Sequence, residues 1–413
     1  MNYPRMAKIR QHFDAVTLED IPRAIHRTIN ECGAKQKIKS GDRVCITAGS
    51  RGIANFALII KETVSALQEW GARPFIIPAM GSHGNATPEG QTQLLNDYGV
   101  ADEYCGAPVR SQMEVVRIGE LDAQVPVIMD KYAAEDADHI VVLNRIKPHT
   151  NYAGRNESGL MKMMLIGLGK QKGAGLYHRA IIERGWESIV YPVVEVHMKN
   201  KPPLFGLAVV ENQLDQTAHV EAIPAARLVE REAELLDQAK NWMMRLPFKQ
   251  LDVLIVDRMG KNISGAGMDT NVIGRAKPGD VKIKRIFARD LTDETHGNAS
   301  GLCYADVTTT KLINRIDWPT TNMNAITSGF TESAGVPLHT PTEREALSAA
   351  LDTIGLTPPH AARVCWIRDT LHLSEVFISE PLEAELAGRN DLELAGPWQE
   401  FAFDSRGELL AMS

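Results

Sequence analysis

Cysteine is scarce and scattered in this chain. Its five thiols, Cys32, Cys45, Cys105, Cys303 and Cys365, form an odd, widely spaced set with no Cys-x-x-Cys pair. That spacing excludes a disulfide framework and a cysteine-based zinc site. Positive charge is in deficit, with 45 Lys and Arg against 52 Asp and Glu and a net charge of -7. Such a balance carries no global attraction for nucleic acid or for anionic lipid, so neither is expected as a partner. Long apolar runs are missing: none reaches the roughly 18–20 residues that a membrane span needs. Met1 to Val16 carries Arg5, Lys8 and Arg10 with no apolar block behind them. No secretory signal is therefore expected, and the chain reads as a soluble cytoplasmic protein. Internal repeats and low-complexity segments are also lacking.

What is present is ordinary globular composition, 44% hydrophobic and 23% charged over 413 residues. At roughly 150 residues per domain this length suggests two or three domains. The first half alternates buried-strand runs with helical spacing. Arg43 to Ala48 reads as a strand, Ala54 to Gly71 as a helix, Pro74 to Ala79 as a strand. Thr87-Pro88-Glu89 opens another helix, with Thr as N-cap and Pro at the first helical position. His139 to Leu143 and Pro203 to Val210 are further strands, and Ile223 to Met244 is a charged helical stretch. After Pro247 the rhythm resumes with strands at Leu251 to Val256, Ile283 to Ala288 and Arg363 to Arg368. Helices are expected near Ala305 to Ile316 and over Thr342 to Ile354. Continuous apolar strands alternating with helices predict an α/β fold with mostly parallel sheets. Two α/β domains are expected, 1–247 and 248–396, with an active-site cleft between them. The 397–413 tail is free to return to the first domain.

In open parallel sheets, ligands bind at the carboxyl ends of strands. Three polar or glycine-rich loops leave such ends: Ala48-Gly49-Ser50-Arg51-Gly52, Gly81-Ser82-His83-Gly84-Asn85 and Asn144-Arg145-Ile146-Lys147-Pro148-His149-Thr150. A lone Arg or His in a loop is usually a solvated side chain. Here the pairing matters: Arg51, His83 and His149 fall on one sheet edge, and two histidines suit acid/base work near neutral pH.

The stretch Asn151 to Gly175 is the most unusual. Gly154, Gly159, Gly167, Gly169, Gly173 and Gly175 interrupt what would otherwise be helix, and Lys162 sits among Leu160, Met161, Met163 and Met164. A lysine in that setting either snorkels its ammonium to water or, desolvated, serves as a nucleophile or covalent anchor. His178 follows sixteen residues later.

Together these residues resemble the nickel-pincer lactate racemase family. The block His149…Ser158-Gly159-Leu160-Met161-Lys162…His178 looks like that family's Pro-His, Ser-Gly-Gly-x-Lys-like segment and following His. Gly81-Ser82-His83 is similar to its Gly-Thr-His loop, and Ser50-Arg51 to its Asp-x-Thr-Arg-Pro motif. The resemblance covers about residues 45 to 180. It implies a covalently held nickel-pincer nucleotide, pyridinium-3,5-bisthiocarboxylic acid mononucleotide nickel, supplied by cofactor-synthesis and loading proteins. By the same resemblance Lys162 would bind the cofactor, with Ser50 and Gly159 at its site, and His178 would be the nickel ligand. His83 and His149 would be the acid/base pair and Arg51 would hold the substrate. Ala48, Gly52 and Leu160 depart from the family's pattern and point to a divergent member with a substrate other than lactate.

The implied activity is an isomerase: racemisation or epimerisation of a small-molecule 2-hydroxy acid by proton-coupled hydride transfer. Gly260 to Arg275 also leaves a strand end, and it fails the dinucleotide glycine pattern. It reads as a substrate-binding wall with Lys261, Asn262 and Arg275. The alternatives are a metal-assisted hydrolase or lyase, which lacks an HExxH or a clustered carboxylate, and a non-catalytic small-molecule binding protein on the same scaffold. Assembly into a homo-oligomer is left open.

Overall fold

The structure, a computed structural model, describes residues 1–50, 52–277 and 279–412. The chain divides into two compact units, Ala15–Met243 and a discontinuous unit of Met1–Asp14 with Met244–Ser413. Each is a mixed α/β body with a mostly parallel sheet. No helix among the described residues is long and apolar enough to cross a membrane.

The first strand, β1 (Met6–Gln11), belongs to the discontinuous unit. The continuous unit begins with α1 (Ile21–Glu31), which Asp20 caps by accepting the Arg23 N–H at 2.9 Å. Then come β2 (Arg43–Ala48), α2 (Phe56–Glu69), β3 (Arg73–Pro78) and α3 (Pro88–Asp97). Thr87 caps α3 by accepting the Gly90 N–H at 3.0 Å, and Pro88 opens its first turn. The hairpin of β4 (Val115–Asp122) and β5 (Val125–Asp130) precedes β6 (His139–Arg145). The unit closes with α4 (Lys170–Arg184), α5 (Glu187–Asn200), β7 (Phe205–Glu211), β8 (Thr217–Pro224) and α6 (Leu228–Asn241).

Among the described residues five of these strands form one sheet, in the order β3-β2-β6-β7-β8. All neighbours are parallel except β7 and β8. Successive residues of β2 are buried on both faces, Val44 and Ile46 on one, Cys45 and Thr47 on the other. Two-sided burial is why the strand reads as an unbroken apolar run. Ile59, Ile60 and Val64 of α2 pack with Val44, Ile46, Val141 and Leu207 in the core.

In the discontinuous unit the strands are β9 (Gln250–Met259), β10 (Lys282–Leu291), β11 (Val307–Thr309), β12 (Leu338–Thr340), β13 (Val364–Ile367), β14 (Glu375–Ser379) and β15 (Leu392–Leu394). Its longer helices are α7 (Trp318–Ser328) and α8 (Glu343–Asp352). The sheet order is β12-β11-β10-β9-β13-β14-β1-β15, parallel from β12 to β13 and antiparallel beyond. Val253, Ile255, Phe287, Leu347 and Trp366 anchor its core.

Both chain ends fall in the discontinuous unit, unlike the expected arrangement of 1–247, 248–396 and a tail returning to the first domain. The first fourteen residues do not stay with the unit that follows them, because β1 pairs with β14 and β15. The 397–413 tail does not return to the first unit either. Gln399 exchanges backbone hydrogen bonds with Met6 inside the discontinuous one. The helix expected over 305–316 is broken: Val307–Thr309 is a strand, and a single helical turn, Thr310–Asn314, follows.

α5 buries His197 completely, and neither ring nitrogen has a hydrogen-bond partner among the described residues. Burial pulls its pKa from 6.5 down to about 4. The unfolded chain therefore takes up this proton first as acid is added. Stability is full above pH 6.5 and is lost as pH falls towards 4, by roughly 3 kcal/mol in all. Urea unfolding between pH 7.5 and 4.5 is expected to show a steeper loss in the wild type than in His197→Leu. Parallel curves for the two proteins would show that another group governs the loss.

Candidate active site

The in-register parallel pairing that sets Ala48 beside Pro78, together with that of β2 and β6, brings the carboxyl ends of β2, β3 and β6 to one edge. A cavity of about 180 Å³ opens there in the continuous unit. Ser50, Ser82, His83, Lys147, Lys162 and His178 all contribute to its wall, with Met163 and Ile166 as apolar lining. The loops that deliver them are separated by up to about a hundred residues of chain, and the sheet removes that separation.

His83 sits in a tight loop. Gly81, Gly84, Asn85 and Ala86 all have positive φ, between 54° and 61°. The His83 Nδ1–H donates to the Met80 carbonyl at 2.9 Å, which leaves Nε2 as the basic nitrogen of the neutral ring. His149 has the opposite arrangement. Its Nδ1 accepts the N–H groups of Asn151 and Tyr152, each at 3.1 Å, so the neutral ring carries its proton on Nε2. Its own N–H donates to buried Glu157 at 2.8 Å. His149 does not line the cavity, but Tyr152 ties it to a residue that does. The Tyr152 ring stacks with His149, at 4.4 Å, and with Trp186, at 4.8 Å, and its hydroxyl is 3.0 Å from His178 Nδ1.

Burial, and next the charge of Lys162, lower the His178 pKa to about 4. Burial pushes Tyr152 up to about 12. Near pH 7 the pair is thus a neutral imidazole and a neutral phenol, which suits His178 to ligate a metal through the ring nitrogen that Tyr152 leaves.

Lys162 ends a helical turn, Leu160–Lys162, that runs on into a wider π-type turn, Met163–Gly167. Fully buried Glu232 of α6 anchors its start by accepting the Met161 N–H at 2.8 Å. Burial raises the Glu232 pKa to about 7 against the pull of that bond. Gly159 precedes the turn, and its carbonyl accepts from Asn144 Nδ2 at 2.8 Å. A Cβ at Gly159 would lie 2.8 Å from the Glu232 carboxyl carbon.

Arg51 lies outside the described residues. Lys261, Asn262 and Arg275 belong to the other unit and do not line this cavity. Lys261 Nζ donates to the Gly265 carbonyl at 2.6 Å, and Asn262 Oδ1 accepts from Thr292 at 2.7 Å. Arg275 donates to Asp306 at 2.9 Å and to the Ile283 carbonyl at 3.1 Å, so its guanidinium braces β10 from within its own unit. Glu232 and Tyr152 were not anticipated from the sequence. One signal for Glu232 was legible: it falls on the buried face of α6 with Leu228, Leu235, Leu236 and Ala239.

Residues 6–188 match the family described as the lactate racemase N-terminal domain. This stretch is similar to such a domain. All the residues named above as lining the cavity lie within it. Among solved structures, the lactate racemase apoprotein from Thermoanaerobacterium thermosaccharolyticum is similar to the whole fold. Its TM-score is 0.51 and its identity 15%, over 88% of this chain and 94% of that one. A protein from Thermotoga maritima is similar at TM-score 0.51 and 14% identity, over 78% and 84% of the respective chains. At such identities these likenesses speak for the fold. No curated protein matches the chain.

The Gly159–Glu232 contact makes Gly159→Ala a direct probe of how the lysine turn is held. Forcing a methyl against a buried carboxylate is expected to destabilise the protein by about 1–3 kcal/mol. Thermal melts of Gly159→Ala and of the double variant with Glu232→Ala check this. In the double variant the penalty of the added methyl should largely disappear. A Gly159→Ala protein as stable as wild type would mean that Glu232 swings aside freely.

Proposed function

We propose that the protein is an isomerase that racemises or epimerises a polar 2-hydroxy acid by proton-coupled hydride transfer, with a nickel-pincer nucleotide held covalently on Lys162. The observation that carries this reading is the meeting of His83, Lys162 and His178 at one cavity, with His149 tied in through Tyr152.

The residues fit the cofactor. Lys162 reaches the cavity wall for attachment, with Ser50 and Gly159 beside the same space or its entrance turn. His178 offers a neutral imidazole. Among the described residues no three His, Cys, Asp or Glu side chains group as a metal site, so His178 suits an ion whose other donors come from an organic ligand. The same donor set offers no support for a metal-assisted hydrolase. When bound, the cofactor supplies an acceptor and donor of hydride.

The chain's own residues manage the protons. The Cα–H of a hydroxy acid is too weak an acid for simple abstraction, so the hydroxyl proton must leave as hydride departs. His83, basic at Nε2, takes that proton. The His83 imidazolium so formed returns the proton to the oxygen when hydride comes back to the other face of the planar keto acid, and His149, the second acid/base candidate, offers the hydrogen on its Nε2 to the same oxygen as a hydrogen-bond donor. Arg51 is proposed to hold the carboxylate. Ser50, Ser82, Ser158, Asn144 and Lys147 give the wall a polar character, which favours a hydroxy acid with further polar groups, such as a sugar acid or a dicarboxylic hydroxy acid.

Protein made together with the cofactor-synthesis and loading proteins is expected to show an intact-mass adduct that Lys162→Ala abolishes. Chiral analysis of a hydroxy-acid panel with that protein should find polar substrates turned over faster than lactate. An adduct absent from wild type would remove the cofactor from the proposal. Lactate as the fastest substrate would remove the polar-substrate part alone.

A further inference from the structure

Lys170 departs from what a lysine ordinarily does. It is fully buried, and it has a φ of +54° in a glycine-rich stretch whose glycines would take that conformation without strain. Its ammonium donates to the Pro78 carbonyl at the end of β3 and to Gln91 Oε1, each at 2.8 Å, and lies 3.6 Å from the Asp130 carboxylate of β5. Gln91, also fully buried, turns its amide NH2 to the carbonyls of Gly81 and His83, each at 3.1 Å. The amide orientation follows from these partners. An ammonium requires the oxygen and two carbonyls require the NH2, so the reversed amide would lose every bond.

The loop so held is the one that carries His83. Four of its residues have positive φ, and two of those, Asn85 and Ala86, are not glycine. It also packs backbone against backbone on the start of α3: a Cβ on Gly84 would lie 2.7 Å from Gln91 N. A strained loop persists only where its surroundings over-determine it. The bonds from Gln91 to Gly81 and His83 bracket the Met80–His83 turn in which the imidazole donates back to the chain.

We propose that Lys170 and Gln91, with Asp130 as counter-charge, are positioning residues for His83. Their buried hydrogen-bond relay fixes the strained loop after β3, keeps the His83 Nδ1–H on the Met80 carbonyl and so presents Nε2 as the base. The catalytic half of this inference rests on the acid/base reading of His83; the structural half does not.

Gln91→Glu separates the two functions of the amide. The ionised glutamate still accepts from Lys170 but donates to neither carbonyl. The protein is expected to fold with a lowered melting temperature, because two buried carbonyls lose their donor. Hydrogen exchange, read in the full chain without cofactor, should quicken by about tenfold or more at the amides of His83, Ala86 and Thr87, while the amides of β6 and α4 stay unchanged. In cofactor-loaded protein, kcat should fall by about tenfold or more with KM little altered. Exchange at those three amides as slow as in wild type, or quickened evenly through the unit, would overturn the proposal. So would loop exchange that rises while kcat stays at the wild-type value. If wild type racemises no hydroxy acid, the proposed function fails, and the exchange measurement still decides the positioning role. Should Gln91→Glu not fold, Gln91→Met removes the same two donors at similar volume and is read in the same way.

Discussion

The loops at the carboxyl edge of the five-stranded sheet keep their shape through hydrogen bonds from side chains that see almost no water. Lys170 and Gln91 hold the loop after β3, Glu157 holds the backbone of His149, and Glu232 holds the turn that leads to Lys162. Each of these side chains answers to backbone groups of the loop that it supports. Because a polar group left unpaired in such a place carries a penalty of about 1–3 kcal/mol, the loops and their braces stand or fall together. A parallel sheet by itself only brings strand ends to one edge. The buried braces turn that coarse alignment into placement at the scale of a hydrogen bond.

The same dryness sets the charge state of the site. His178 and Tyr152 are both neutral near pH 7 because burial opposes an imidazolium and a phenolate alike. A neutral phenol is a hydrogen-bond partner that can either donate or accept, so it leaves the tautomer of His178 to whatever lies on the ring's other side. The flat stack of His149, Tyr152 and Trp186 adds rigidity across the ring faces without adding charge. The two acid/base candidates are thereby distinguished by their backbones alone: a carbonyl faces His83 Nδ1, and two N–H groups face His149 Nδ1.

Legibility in the sequence followed burial. β2, β3, β6 and β7 are unbroken apolar runs because both of their faces are covered, and each was readable within a residue or two. The cap at Thr87 was equally plain, since a hydroxyl before a helix has a local role. The β4–β5 hairpin, β1 and the edge strand β15 were not readable: they are short or only half-covered, and the pairing of β1 and β15 is decided by distant partners. For the site, His83 was legible from its glycine-rich loop at a strand end, Lys162 from its apolar setting and His178 only through the family resemblance. Most of the braces were hidden. Gln91 sits in a helix whose sequence reads as solvated, and Lys170 lies in a Lys-Gln-Lys run that looks like surface. Only the three-dimensional packing reveals that these polar side chains point inward.

The position of β1 has a consequence for synthesis. This strand leaves the ribosome before residues 15–243, yet its hydrogen-bonding neighbours β14 and β15 come only after the whole of that unit has been made. Residues 15–243 are continuous and can fold while the chain is still growing, as domains generally do. The first strand must then wait, its ladder groups unpaired, until the final strands emerge on either side of it. Closing so long a loop adds little entropy beyond that of a shorter one, because the penalty grows only with the logarithm of length. The delay is therefore kinetic. During it Met6, Ala7 and Ile9, which the folded chain buries completely, stay exposed to water.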